Sequence, residues 1–444
     1  MPRDPFPPDP FDPAAAEQAV LEEPSPSGRP GRYSWVRTVA VDTEPLRVSP
    51  PFRRLWLGQA ISYLGSEITF VAIPVQMYEL THSTLQVGLL GVTDLVPLLT
   101  VPIVGGAIAD VVDRRRLLLV SVWTAIAATG ALLANAALPH PQVGALYAIN
   151  LIAASAFALL TPAERSLVPA LVGPQRIAAA SALESVYRNF DSVAGPALAG
   201  VTIAAIGLTG AYALDLGTFA AALWAVVGLP PALPAEAEDR VSVRSILDGF
   251  RYVKTRRELL GIFLVDTNAM IFGMPMALFP AIGAKLGGTS VVGLLYAAPG
   301  AGALAAALVS GWATRMRRQG LGVIMAAALW GVAIVAFGFA RALWLALILL
   351  ALAGAADFVS AVLRSAIALA ATPDAMRGRV TGIEFAQVAS APSLGNVEAG
   401  AVASVTSLRF SVVSGGVACV VGTALLAAAI PELLRYDSRK AVQA

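Results

Sequence analysis

Long apolar runs of about 20 residues, separated by short polar turns, fill this chain from near Leu55 to near Ile430. A helix rises about 1.5 Å per residue, so each run is long enough to cross a hydrocarbon core of about 30 Å. The pattern predicts about twelve membrane-spanning helices, at 54–78, 84–109, 117–138, 142–163, 179–206, 209–230, 258–283, 290–314, 320–340, 342–364, 379–407 and 410–431. The fifth and eleventh are long enough to begin outside the bilayer. The expected fold class is an all-α membrane protein.

A repeat organises these spans. Val87-Gly88-Leu89-Leu90 returns as Val292-Gly293-Leu294-Leu295, and Gly106 returns as Gly311, both at an offset of 205 residues. Two matches at one offset, on either side of an apolar span, indicate a duplicated unit and hence two six-helix pseudo-repeat bundles. The first bundle is expected over 51–229 and the second over 258–431. Between them, 230–257 reads as a linker in which Ile246, Leu247, Phe250 and Val253 form an apolar stripe beside Arg244, Arg251, Lys254, Arg256 and Arg257. That stripe suits a helix lying on the membrane surface and joining two bundles that rock. Residues 1–50 are proline-rich with no apolar run, the composition of a disordered tail, and 432–444 form a short second tail. The start of the chain lacks the basic and hydrophobic segments of a cleavable signal, which leaves the first helix as the insertion signal.

Composition agrees: 57% hydrophobic and 14% charged residues with a mean hydropathy of +0.71 leave too little polar surface to cover a soluble globule of 444 residues. The net charge of +2 says little, but its placement says more. Of the 31 Lys and Arg, only Lys285, Arg341 and Arg409 fall in the loops of one side, while Arg53, Arg54, Arg114 to Arg116, Arg315 to Arg318, Arg377 and Arg379 crowd the other. The basic side is expected to be cytoplasmic, and an even number of spans puts both termini there. With Lys254, Lys285 and Lys440 as the sole lysines, the arginine-heavy usage points to a GC-rich bacterial genome and a bacterial plasma membrane.

Chemistry-bearing residues are few. Cys419 is the single cysteine and lies inside the last apolar run, which excludes disulfides and cysteine-based metal sites within one chain; His82 and His140 sit apart in predicted outer loops. No metal, nucleophile or cofactor constellation is visible, no G-x-x-x-x-G-K-[ST] run supplies an ATPase, and nothing indicates nucleic acid. A channel is disfavoured by a twofold repeat with buried charges. A transporter of a small molecule remains, with protons as coupling ion and lipids as neighbours, expected to be a monomer. The rival of a different class is a transport-dead sensor or scaffold that uses the tail.

Charges inside spans mark the candidate site. Glu67 shares one face of the first helix with Tyr63, Phe70 and Pro74, and a carboxyl there is suited to cycling between protonated and ionised forms, unless it lies in a hydrated outer or inner third. Asp266 and Asn268 in the seventh span are the second-half candidates, because that span corresponds to the first across the repeat. Met270, Met274 and Met276 lie nearby, where ordinary packing competes with cargo contact. Asp357 and Arg364 stand two turns apart in the tenth span, either as a cavity charge pair or with Arg364 snorkelling to the membrane edge. Asp94 and Asp215 are further membrane acids. Glu184, Arg188 and Asp191 recur at i, i+4 and i+7, suggesting a structural ion pair, and Gly195 and Ala199 continue that face as a packing surface.

The run Gly106-Ala-Ile-Ala-Asp110-Val-Val-Asp113-Arg114-Arg115-Arg116 resembles the loop signature of the major facilitator superfamily. The resemblance implies a conformational latch in which Asp110 and the arginines face Arg377 and Arg379, with Glu384 completing the network. Val111 and Asp113 depart from the family pattern, and in the second copy Arg315 replaces the acid. Gly195-Pro196-Ala-Leu-Ala-Gly200 partly resembles the antiporter motif of fifth helices, without its doubled final glycine. Ala72-Ile-Pro-Val-Gln76, Thr81-His-Ser-Thr84, Pro169-Ala-Leu-Val-Gly173, Ser245-Ile-Leu-Asp-Gly-Phe250, Phe279-Pro-Ala281 and Thr372-Pro-Asp-Ala-Met376 are similar to the bacterial enterobactin-exporter branch, and the likeness covers essentially everything after Pro50. It implies a proton-driven antiporter that exports a siderophore or similar metabolite by alternating access, with the first helix lining the cavity. Macrolide and multidrug efflux pumps share much of the same pattern.

Overall fold

Apolar runs with no internal stop fold as long helices, because in a bilayer each backbone N–H and C=O must find its partner within the segment. The computed structural model describes residues 42–109, 113–230, 243–311 and 316–437, and every regular element among them is helical. Residues 1–41 of the tail predicted over 1–50, Asp110 and Arg315 lie outside these residues, and the rest of that tail departs from the expected disorder, because 44–48 are helical and Glu44 pairs with Arg176 at 2.9 Å.

A short α1 (Glu44–Val48) precedes α2 (Pro50–Thr81), which starts where Ser49 Oγ accepts from Phe52 N–H and ends at His82 with φ 48°. Then come α3 (Thr84–Ala109), α4 (Arg114–Ala136), α5 (Val143–Val172) and α6 (Ile177–Val227). Asp113 caps α4 by accepting from Arg115 N–H at 2.9 Å. Two spans lie within α6: Gly207, at φ 73° and ψ 177°, breaks it with a backbone conformation that glycine alone adopts without strain. Both sides of that break match the predicted fifth and sixth runs.

The second half opens with α7 (Val243–Thr255), followed by α8 (Arg257–Phe272) and α9 (Phe279–Leu286). Its remaining long helices are α10 (Thr289–Val309), α11 (Gln319–Phe337), α12 (Leu343–Ala371), α13 (Asp374–Val405) and α14 (Leu408–Ala429), and α15 (Pro431–Leu434) closes the described chain. Nine stretches among the described residues are apolar and long enough to cross a membrane. The stretch over 174–227 holds two crossings, and α2 and α13, 32 residues each, are as long but more polar. The chain is a multi-pass membrane protein.

The seventh predicted run, 258–283, is not one helix. It breaks over 273–278 between α8 and α9, where Gly273 and Pro275 interrupt the ladder. Three side chains satisfy the freed backbone groups: Trp330 Nε1 donates to Gly273 O at 2.8 Å, Tyr296 OH donates to Met276 O at 3.0 Å, and Asn396 Oδ1 accepts from Ala277 N–H at 3.0 Å. A break at membrane depth survives because protein replaces the missing water.

Helices α2–α6 pack as one bundle and α8–α14 as the other. Lipid is as apolar as leucine, so the bundles adhere through close packing and polar contacts, not through the hydrophobic effect. Two crossings join them, α3 with α13 and α6 with α10. At the first, Gly88 meets Gly400 and Thr84 Oγ1 donates to Gly400 O at 3.1 Å; at the second, Gly200 meets Gly293. The repeat-related pair Gly88 and Gly293 thus occupies equivalent positions, one in each bundle. Both crossings lie toward the face carrying His82 and Ser407, termed here the far face, and the opposite face carries Arg54, Arg115 and Arg377.

On that basic face, Arg54 donates to Trp224 O at 3.3 Å and lies 4.6 Å over the Trp224 ring, while Arg115 donates to Val227 O at 2.7 Å. These guanidinium groups satisfy the last carbonyls of α6 and meet the negative end of its dipole. Helix α7 packs against α13, with Gly249 beside Ile383 and Arg379, while Tyr252 OH donates to Ala371 O at 3.1 Å and Phe250 stays exposed.

Candidate functional site: the cavity between the bundles

A cavity of about 510 Å³ lies between the bundles, within the size range of small-molecule sites. Tyr63, Glu67 and Phe70 from α2 share its wall with Asp94 from α3, Asn150 and Phe157 from α5, Arg188 and Asp191 from α6, and Asn396 from α13. At mid-depth Phe70 stands edge-on to Tyr296 of the other bundle with ring centroids 5.8 Å apart, and Tyr296 packs likewise on Phe279 at 5.0 Å. Beyond this aromatic floor come the two glycine crossings. The contacts between bundles therefore run from mid-depth to the far face, and the cavity lies on the basic side of them.

Glu67 occupies the wall as the sequence predicts. Its Cβ and Cγ pack on the bare backbone of Gly195, and a Cβ at Gly195 would overlap them. Its carboxylate has no hydrogen bond or ion pair among the described residues, and the nearest charge acting on it is Asp191. Asp191 is 3% exposed, and its Oδ2 is buried without a hydrogen-bond partner. The Arg188 charge, one turn back on α6, acts on Asp191, which leaves Glu67 as the carboxylate with no cation acting on it.

Other cavity acids are satisfied. Asp94 Oδ1 accepts from Asn150 Nδ2 at 2.7 Å. Asp215 accepts from Thr69 at 2.5 Å, Thr218 at 3.3 Å and Thr129 at 3.4 Å, so three hydroxyls from three helices hold it.

Arg188 does not pair within its own helix, where the i, i+4 spacing pointed to Glu184. It reaches Glu164 of α5 at 3.7 Å and stacks 4.9 Å over the Tyr63 ring. Glu164 is 4% exposed and also accepts from Gln59 Nε2 and from Tyr63 OH, the latter at 3.3 Å. Sequence reasoning missed Glu164 because the fourth run was ended at 163, whereas α5 continues to Val172. The available signal was an acid one residue past the end of the run, followed by further apolar positions such as Leu167 and Val168 before Gly173.

The second-half candidates gather elsewhere. Arg364 is 9% exposed, lies 2.8 Å from Asp266 and 3.9 Å from Asp357, and donates to Ser360 Oγ at 2.8 Å; Gln387 Nε2 donates to Asp266 Oδ2 at 3.0 Å. Arg364 is thus buried and paired across α8 and α12, not snorkelling. This cluster sits inside the second bundle and does not line the 510 Å³ cavity. Asn268 turns away from it and donates to Cys419 O at 2.9 Å and Thr423 Oγ1 at 3.3 Å, tying α8 to α14.

Asp110, the acid of the expected latch, lies outside the described residues, and three of the latch arginines have other contacts in this state. Arg115 is committed to the end of α6, Arg377 pairs with Asp374 on its own helix at 2.8 Å, and Arg379 contacts Met376 Sδ at 3.5 Å. Glu384 accepts from Ser365 Oγ at 3.3 Å, not from the arginines. In the Gly195-Pro196-Gly200 stretch, Gly195 faces α2, whereas the Pro196 carbonyl and Gly200 face Gly293 of α10.

Residues 42–442 match the family model described as transmembrane secretion effector. Enterobactin exporter EntS of Citrobacter koseri is 31% identical over 408 residues, covering 91% of this chain and 97% of that protein. Enterobactin exporter EntS of Shigella boydii serotype 18 is 29% identical over 407 residues with the same coverage. Among solved structures, a POT family transporter in complex with 5-aminolevulinic acid superposes with a TM-score of 0.70 at 13% identity, covering 87% of this chain and 97% of that one. A bacterial homolog of the human lysosomal transporter Spinster, inward-facing and unoccupied, gives 0.68 at 14% identity over 90% and 99%. At such identities the solved structures speak for the fold alone: two six-helix bundles of the major-facilitator type.

Proposed function

The chain belongs to the transmembrane secretion effector family of major-facilitator transporters, and from that premise we propose that it exports a siderophore or related small metabolite by alternating access, in exchange for protons. The observation that carries the reading is the cavity of about 510 Å³, mostly apolar with a few charged side chains on its wall, between two bundles that touch through glycine crossings on one side of it. The likeness to enterobactin exporters along 91% of the chain supports the cargo class.

With the basic face in the cytoplasm, as the placement of arginines favours, this is the inward-facing state. Cargo enters from the cytoplasm and comes to rest above Phe70 and Tyr296. Rocking of the bundles then separates Gly88 from Gly400 and Gly200 from Gly293, opening the far face. The same motion brings the start of α13 toward the loop after α3, where Arg377 exchanges Asp374 for the acids of that loop. Glu67 is the proton carrier. A carboxyl without a counterion, facing a second carboxyl, takes up a proton when the cavity faces the side richer in protons and is available again on the other side.

The test is flux in everted membrane vesicles, where export is read as uptake. A catecholate siderophore should accumulate in a manner that collapses with the proton gradient and is lost in Glu67→Gln. Gradient-driven uptake that persists in Glu67→Gln would remove Glu67 from the coupling role, and no flux of catecholates, macrolides or dyes would refute the transport reading.

A further inference from the structure

Cations are scarce on the far face, yet two of them meet there at one ring. Of the 31 Lys and Arg, only Lys285, Arg341 and Arg409 fall on that side of the map of spans. Arg409, in the first turn of α14, holds its guanidinium 4.2 Å over the Phe339 ring. Arg341 follows Phe339 by two residues in the turn between α11 and α12, so its backbone is within about 7 Å of that ring's own. Both arginines are exposed, and neither pairs with an acid among the described residues. Two cations gathered without an acid gain nothing from the chain itself, and their counter-charge comes from outside it.

The surroundings select the partner. Phe339, Trp344 and Phe410 are all exposed at this level, where aromatic rings mark the boundary between acyl chains and water. From there toward the opposite face, exposed apolar side chains continue in two rows, Met325, Leu329 and Val332 on α11 and Val417, Val421 and Leu425 on α14. Their spacing of about one turn keeps each row on one face of its helix. The two helices adjoin closely, because a Cβ at Gly331 would stand 3.0 Å from Gly416 O and one at Gly416 would stand 2.8 Å from Val335 N. Neither helix lines the 510 Å³ cavity or takes part in the glycine crossings, so this surface lies off the cargo route.

We propose that Arg341 and Arg409 hold the phosphate of an anionic phospholipid in the leaflet on the far face, with its acyl chains along the exposed rows of α11 and α14. A guanidinium matches a phosphate with paired N–H donors and keeps its charge at any pH a membrane meets. A zwitterionic lipid brings its own ammonium to its phosphate and gains less from two arginines, which sets the selectivity. A soluble anion would find the same cations but no use for the apolar rows beneath them. The site rests on the chain lying in a membrane, not on the cargo or on the coupling ion.

Trp344, three residues beyond Arg341, is the reporter. The full chain is reconstituted in vesicles of dioleoylphosphatidylcholine doped with a lipid carrying dibrominated acyl chains, which quench a tryptophan they touch. The brominated lipid is either phosphatidylglycerol or phosphatidylcholine, and the Trp344 signal is the difference between the chain and Trp344→Phe. Quenching should report phosphatidylglycerol associating at least about fivefold more tightly than phosphatidylcholine, the effect of one basic residue near an anionic headgroup. Arg341→Gln and Arg409→Gln should each remove most of that preference and the double variant all of it, while Arg409→Lys keeps part and Lys285→Gln, on α9, leaves it unchanged. Equal quenching by the two lipids, a preference indifferent to both arginine substitutions, or one lost equally in Lys285→Gln would overturn the site. Inorganic phosphate, compared with potassium chloride at equal ionic strength, should leave the quenching in place; relief by phosphate alone would give these arginines to a soluble anion and overturn the lipid assignment. The readout involves no cargo and no gradient, so its failure is distinguishable from failure of the flux experiment.

Discussion

Replacing Gly200 by alanine tests whether the α6–α10 crossing holds the far face shut. The new Cβ would stand 2.7 Å from Ser290 O and 2.9 Å from Gly293 Cα, both backbone atoms that no rotamer change can move. The helices must then part by several tenths of an ångström, and overpacking of this kind costs about 1–3 kcal/mol. The penalty falls on the far-closed state alone, since the crossing is undone when that face opens, so the ratio of open to closed forms should rise about 5–150-fold. Cys419 is fully buried, which leaves a quiet background for a reporter cysteine at Val87, a residue 2% exposed that lines a small void just beyond Phe70. An impermeant maleimide applied from the far face should label Val87→Cys at least five times faster when Gly200→Ala is present. An unchanged or slower rate in a protein that stays monodisperse would refute the claim that this glycine contact is the closure.

Three further outcomes follow from the same geometry. Asp266→Asn leaves Arg364 buried with Asp357 at 3.9 Å as its remaining acid, so thermal stability in detergent should fall by about 3–5 kcal/mol, and Asp266→Leu with Arg364→Met should recover much of it; a single variant as stable as the parent would show the pair to be dispensable. Gly207→Ala meets no atom within 4 Å but forces an L-residue to φ 73°, so it should cost about 1–3 kcal/mol of thermal stability in detergent, and a neutral effect would mean the break relaxes. Phe70→Ala removes half of the aromatic floor and should raise far-side labelling of Val87→Cys without a change in stability beyond about 2 kcal/mol; labelling at the parental rate would assign closure to the glycines alone.

What the sequence displayed, and what it hid, divides along a physical line. Helix number and the two-bundle plan were legible, because span length is set by bilayer thickness and a duplication leaves matching glycines at one offset. Gly88 and Gly293 proved to be the same device used twice, each placing bare backbone against a glycine of the opposite bundle. The break in the seventh run was also written in Gly273, Pro275 and Pro280, but an apolar window averages over such signals. What holds the break open is Trp330, Tyr296 and Asn396, from three other helices, and no local pattern announces them.

Charge partners were the least legible feature, for a reason that also bears on function. Spacing on one helix pointed to Glu184 for Arg188 and Asp357 for Arg364, yet each arginine found its closer acid on another helix, Glu164 and Asp266 respectively. In water such same-helix pairs compete on nearly equal terms, but inside a bundle the desolvation of both groups rewards the partner that is itself buried. Glu164 and Asp266 are each 4% exposed, whereas the Asp357 side chain keeps 37%. The result is a related arrangement in the two halves: an arginine–carboxylate pair engaged by a glutamine, Gln59 in the first bundle and Gln387 in the second. Both pairs are consumed in holding helices within their own bundle. Glu67, which neither pair engages, is the cavity acid proposed to carry the proton, and it lies on the wall that the first bundle forms.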